Sequence, residues 1–149
     1  LEQIQLEVVD IWHFGMSALL AQGSDIDTLA REISTDLDEE PREAVASLLE
    51  ATEALAEVCL TTQSFSTPAF LSLMRASGLS FDQLYRMYVG KNVLNFFRQD
   101  HGYKEGSYVK VWGGREDNEH LSGLLATMDV ADDDFAESLY KGLVALYPG

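Results

Sequence analysis

Cysteine is nearly missing from this chain: Cys59 stands alone among 149 residues. One cysteine excludes an intrachain disulfide and fits a reducing, cytoplasmic setting. Its surroundings, AEVCLTT, read as helix, where a small buried hydrophobe is the expected role rather than a nucleophile. Long apolar runs are missing too. Nothing approaches the roughly 20 residues that cross a bilayer and no signal peptide is visible, so no membrane partner is expected. Basic residues are scarce, ten Lys and Arg against 25 Asp and Glu, for a net charge of −15. That balance argues against a nucleic-acid duplex, because gripping a phosphate backbone needs extended basic surface. A single small anion remains open to it, provided that the cations gather locally or a divalent ion intervenes. No internal repeat or low-complexity segment is present. The first residue is Leu1 rather than Met, and the chain opens inside an amphipathic pattern. It therefore reads as a fragment, or as a chain whose N-terminal part is not shown. Its length suits one domain, residues 1–149, with a sizeable core.

What is there is helical periodicity from end to end. LEQIQLEVVDIWHFGMSALLAQG predicts a helix that ends near Gln22, with Gly23 as its stop. Most of its circumference is apolar, so deep burial is expected. Across that background Gln3, Glu7, Asp10, His13 or Phe14, and Ser17 trace a polar stripe, which faces either water or an interior polar site. Glu7 and Asp10, three residues apart, can reach one hard divalent ion together, although an E-x-x-D pair is more often ordinary surface. His13 by itself is more often a hydrogen-bonded core histidine than a ligand. A second helix follows from Ser24 as cap, and a third from Asp38 as cap, with acids beside Pro41 and an apolar stripe from Val45 to Val58. STPAFLSLMRASG predicts a short helix opened by Ser66 or Thr67 and stopped by Gly78. The next runs from a cap at Ser80 to about Asp100, ended by Gly102. SYVKVW predicts a short extended piece, and REDNEHLSGLLATM and ADDDFAESLYKGLVALYP predict two closing helices. The fold class is all-α, a helical bundle.

The stretch from Tyr88 to Asn118 concentrates the cations. Six of the ten, Arg86, Lys91, Arg98, Lys104, Lys110 and Arg115, fall between positions 86 and 115, in and just before that stretch. Such a cluster in an acidic protein raises a local positive potential. Lys91, Asn95 and Arg98 follow i, i+4, i+7 spacing and so share one helix face. Tyr103, Lys104, Tyr108 and Lys110 return on a glycine-bearing loop. Helix face and loop together suit a polyphosphate gripped from two sides, with Arg giving bidentate bonds and Lys point charges. The alternative is a solvated basic helix paired with the chain's own carboxylates. Interleaved Asn92, Asn95, Gln99 and Asn118 with Phe96, Phe97, Tyr103 and Trp112 favour a pocket with an apolar wall and a few polar groups.

Two blocks, QLEVVDIWHF at residues 5–14 and GKNVLNFFRQDHGYKEGSYVKVWGGREDN at residues 90–118, resemble the dimeric all-α dUTPases. These belong to the all-α NTP pyrophosphatase superfamily, with MazG-like relatives. The resemblance implies Mg²⁺-dependent hydrolysis of dUTP, with pyrophosphate released, and of dUDP, to dUMP. It implies Glu7 and Asp10 as catalytic, metal-ligating carboxylates, and His13 and Phe14 as part of the nucleobase pocket. It places the phosphate contacts on Lys91, Asn95, Arg98, Tyr103, Lys104 and Lys110. Glu116, Asp117 and Asn118 match the family pattern without an assigned role. The family's second acidic motif lies on a preceding helix, and LDEEPRE at 37–43 has the wrong order and spacing to replace it. A homodimer is implied as well. The alternatives are a dCTPase or broader housecleaning NTP pyrophosphatase, and a catalytically silent helical partner-binding module.

Overall fold

Helix α1 (Glu2–Ala21) stops where glycine predicts: Gly23 sits at φ 88°, a left-handed conformation that favours glycine. A computed structural model of the chain describes residues 2–38 and 47–148. Among these, six further helices follow: α2 (Ile26–Asp38), α3 (Leu48–Thr62), α4 (Thr67–Ala76), α5 (Phe81–Asp100), α6 (Asp117–Leu125) and α7 (Phe135–Leu146). One two-stranded hairpin, β1 (Val111–Trp112) with β2 (Arg115–Glu116), completes an all-α protein. No helix among the described residues is long and apolar enough to cross a membrane. By its contacts the chain divides into two compact units, residues 1–81 and 82–149.

In the first unit α4 packs against α1, α2 and α3. Val8, Val9, Trp12, Met16 and Leu19 line the buried face of α1. Trp12 meets Phe70 of α4 with ring centroids 4.9 Å apart, and Phe65 joins the pair. Gly15 belongs to the same face, because a Cβ there would come within 2.5 Å of the Phe65 ring. The expected deep burial of α1 is not what the structure has. Ile4, Phe14 and Leu20 are exposed, Phe14 by 72%. Packing covers one stripe of the helix, and its apolar residues outside that stripe face outward.

Two caps differ from expectation. Helix α2 is opened by Asp25, whose carboxylate accepts the Thr28 backbone N–H at 2.9 Å, and not by Ser24. The helix expected from Asp38 begins, in its described part, at Leu48. Asp38 is the last residue of α2, and Ser47 opens α3 through a reciprocal box with Glu50. Pro41 and Val45 lie outside the described residues. Ser66 caps α4 with Pro68 in the first turn, as expected.

In the second unit the core is Val93, Leu94 and Phe97 of α5, Trp112 of β1, Leu121 of α6, and Phe135, Leu139 and Leu143 of α7. Phe97 sits at its centre, within 5.6 Å of the Trp112, Tyr140 and Tyr147 rings. The expected extended piece is realised at Val111–Trp112 alone. Its antiparallel partner is Arg115–Glu116, read from sequence as the start of a helix. The reason lies in Gly113 and Gly114, at φ 55° and 83°: two consecutive positive-φ residues form the tight turn that matches strand twist. Helix α6 then starts at Asp117, with Glu116 at the cap and Glu119 accepting its backbone N–H at 2.8 Å.

Candidate functional site

The late basic stretch is organised around a carboxylate. Asp117 opens α6 and is fully buried. An isolated buried carboxylate would be costly to desolvate, so it needs partners. It has four hydrogen bonds. Arg98 donates to it from Nε at 2.8 Å and from Nη2 at 2.9 Å, Tyr108 from its hydroxyl at 2.9 Å, and Asn118 from its backbone N–H at 2.8 Å. Burial pushes the Asp117 carboxyl up, but the bonds from Arg98 and Tyr108 and the Arg98 charge outweigh it and hold the group below its ordinary range. The same bond raises the Arg98 guanidinium, against its partial burial. Burial and then the Asp117 bond raise the Tyr108 hydroxyl, so it stays a donor.

Around this node the expected phosphate residues fall as follows. Asn95, exposed on α5, accepts from Arg98 Nη1 at 3.3 Å, so those two lie side by side as their spacing predicts. Lys91 is half-buried on the same helix. Tyr103 and Lys104 are exposed on the turn that leaves α5, and the Tyr103 ring lies 5.9 Å from that of Tyr108. Lys110 precedes β1 and pairs with Glu116 at 3.2 Å, with both side chains about half exposed. The loop between α5 and β1 is held from a second side by the C-terminus. Tyr147 accepts the Val109 N–H at 3.1 Å and stacks on Tyr108 at 5.6 Å.

In the first unit, Glu7 and Asp10 lie one turn apart on α1, Glu7 exposed and Asp10 half-buried. Two carboxylates on adjacent turns are hard oxygen donors. They fit Mg²⁺, which keeps several waters and takes one or two protein carboxylates beside substrate phosphates rather than a closed protein cage. Among the described residues no group of three His, Cys, Asp or Glu forms such a cage. His13 is half-buried, and Phe14 touches its ring edge-on at 5.9 Å. The Phe14 ring also lines an open groove of about 490 Å³ with Ile11, Ala18, Leu55, Cys59 and Phe65. Among the described residues no charged one lines this groove, and His13 takes no part in it. Cys59 is half-buried there, on the apolar wall of the groove, and not buried as expected.

A family model for dUTPase matches residues 1–103, more than two thirds of the 149. The chain belongs to the dUTPase family. The matched residues contain the acidic pair of α1 and all of α5, and the fold is the all-α type of dUTPase. Membership makes a nucleotide the substrate and phosphoanhydride hydrolysis the chemistry. No curated protein matches the chain. Lys104, Lys110 and Asp117 lie beyond the residues matched to the dUTPase family. Sequence reading left Asp117 without a role. The available signal was an acid beside the Gly113–Gly114 turn and nineteen residues after Arg98, but its burial is a tertiary fact.

Proposed function

We propose that the chain hydrolyses dUTP, and dUDP, to dUMP in a Mg²⁺-dependent reaction that releases pyrophosphate from dUTP. The observation that carries this reading is the dUTPase family match, which spans both the Glu7–Asp10 pair and the basic face of α5. Glu7 and Asp10 offer hard oxygen donors for the metal. When bound, Mg²⁺ supplies neutralisation of the polyphosphate charge, polarisation of phosphorus and activation of water.

The chain's own cations and neutral donors do the rest. Lys91, Asn95, Arg98, Tyr103, Lys104 and Lys110 bind phosphate oxygens and steady the charge that moves to the leaving group. Lys110 suits this role because its pair with Glu116 is exposed, and exposed pairs are weak enough for a multivalent anion to displace. His13 and Phe14 contribute an imidazole and an aromatic face to reading the base. The outward apolar residues of α1, Ile4, Phe14 and Leu20, support assembly as a homodimer.

Steady-state kinetics of the intact protein with dUTP, dCTP and dTTP test the substrate. The expected result is a kcat/KM for dUTP at least tenfold above the others. A preference for dCTP, or equal rates for all three, would replace this reading with that of a dCTPase or a broad NTP pyrophosphatase. Turnover at background with every nucleotide would leave a silent helical module. Light scattering is expected to give the mass of two chains; the mass of one chain would remove the dimer.

A further inference from the structure

We propose that Asp117 is the positioning residue of the anion-binding wall, a single buried carboxylate that sets the orientation of Arg98 and pins the return loop through Tyr108. This rests on the reading of the α5 face as the phosphate site. A guanidinium carries five N–H donors in a rigid planar fork. Asp117 takes one from Nε and one from Nη2, and Asn95 takes one from Nη1. Five less three leaves two, one hydrogen on each terminal nitrogen, beyond those that Asp117 and Asn95 take. The Arg98 side chain keeps 19% exposure while Asp117 keeps none. The fork is therefore gripped on its buried edge and still has donors to give. A gripped fork loses little rotamer freedom when an anion arrives, which lowers the entropic cost of binding.

The second hand of Asp117 is on the loop. Tyr108 donates to the same oxygen, Oδ2, that receives Arg98 Nε. The loop that carries Tyr103, Lys104 and Lys110 is thereby tied to the helix that carries Lys91, Asn95 and Arg98. Stacking of Tyr147 on Tyr108 and its bond from Val109 N–H hold the other side of that tie. One carboxylate thus fixes the spacing between the two groups of cations.

The test is calorimetric binding of the non-hydrolysable analogue α,β-imido-dUTP, and of deoxyuridine, with Mg²⁺ present. The intact protein is compared with Arg98→Ala, Asp117→Asn, the double variant and Tyr108→Phe, with far-UV circular dichroism as the check on folding. Asp117→Asn is expected to weaken the triphosphate about ten- to hundredfold, with deoxyuridine unchanged. In the Arg98→Ala background the same change is expected to cost much less, because Asp117 acts through Arg98. Equal losses for both ligands, full additivity with Arg98→Ala, or triphosphate affinity within twofold of wild type overturns the assignment. Should Asp117→Asn not fold, Tyr108→Phe decides. A selective loss for the triphosphate of about threefold or more supports the tie, and no loss overturns it. Arg98→Ala leaving triphosphate binding intact would instead remove the phosphate reading of α5, and the inference with it.

Discussion

Asp117 and Arg98 are one interaction in which each charge is tolerable because of the other. Neutralising the buried partner of such a pair costs up to about 3 kcal/mol, less here to the extent that the partly exposed Arg98 regains water. The carboxyl of Asp117 is held below its ordinary value of 3.8 in the folded state. A depressed folded value means that its stabilisation is fully present above the unfolded value and is lost as pH falls through the folded one. Denaturant unfolding of the wild type and Asp117→Asn should therefore differ by a constant amount from neutral pH down to about pH 5, and the gap should close progressively below about pH 4. A gap that holds unchanged to pH 2 would mean that the carboxylate charge contributes nothing. At this scale sequence reading went part of the way. Lys91, Asn95 and Arg98 were legible because i, i+4, i+7 spacing is a local rule. The partner of Arg98 was not, because it lies across a turn and a hairpin, and no local rule says which of 25 acids will be buried.

Among the elements, α1 carries the proposed metal ligands, and Gly15 lies on its packed face. A methyl group there would meet, at 2.5 Å, the Phe65 ring that packs with Trp12 and Phe70. Overpacking of this kind costs about 1–3 kcal/mol. Gly15→Ala is expected to lower the denaturation midpoint accordingly, despite the better helix propensity of alanine. A variant as stable as wild type would show that Phe65 moves aside freely. The helices themselves were readable because each combines an apolar period with a stop: Gly23, Gly78 and Gly102 all adopt the positive φ that ends a helix. The β1–β2 hairpin was misread because Arg115–Asn118 is polar and acid-rich, as a helix start is. Tertiary pairing with Val111–Trp112 takes the first two of those residues, and the helix keeps the rest. The cap of α3 moved for a related reason: Ser47 with Glu50 three residues later satisfies two backbone donors at once.

For the whole molecule, the proposed function asks a protein of charge −15 to bring its few cations to one place and to screen its acids with divalent metal. The residues matched to the dUTPase family include the acid pair near the start and the basic helix later. In the proposed function Glu7 would hold the ion that makes the approach of the anion favourable. Mg²⁺-dependent turnover of dUTP, measured in the intact protein and in its Glu7→Gln variant alongside far-UV circular dichroism, tests this most directly. Turnover is expected to fall to background in the variant while the helical spectrum stays as it was. Undiminished turnover would take Glu7 out of the active site, and a collapsed helical spectrum would make it a residue of the fold.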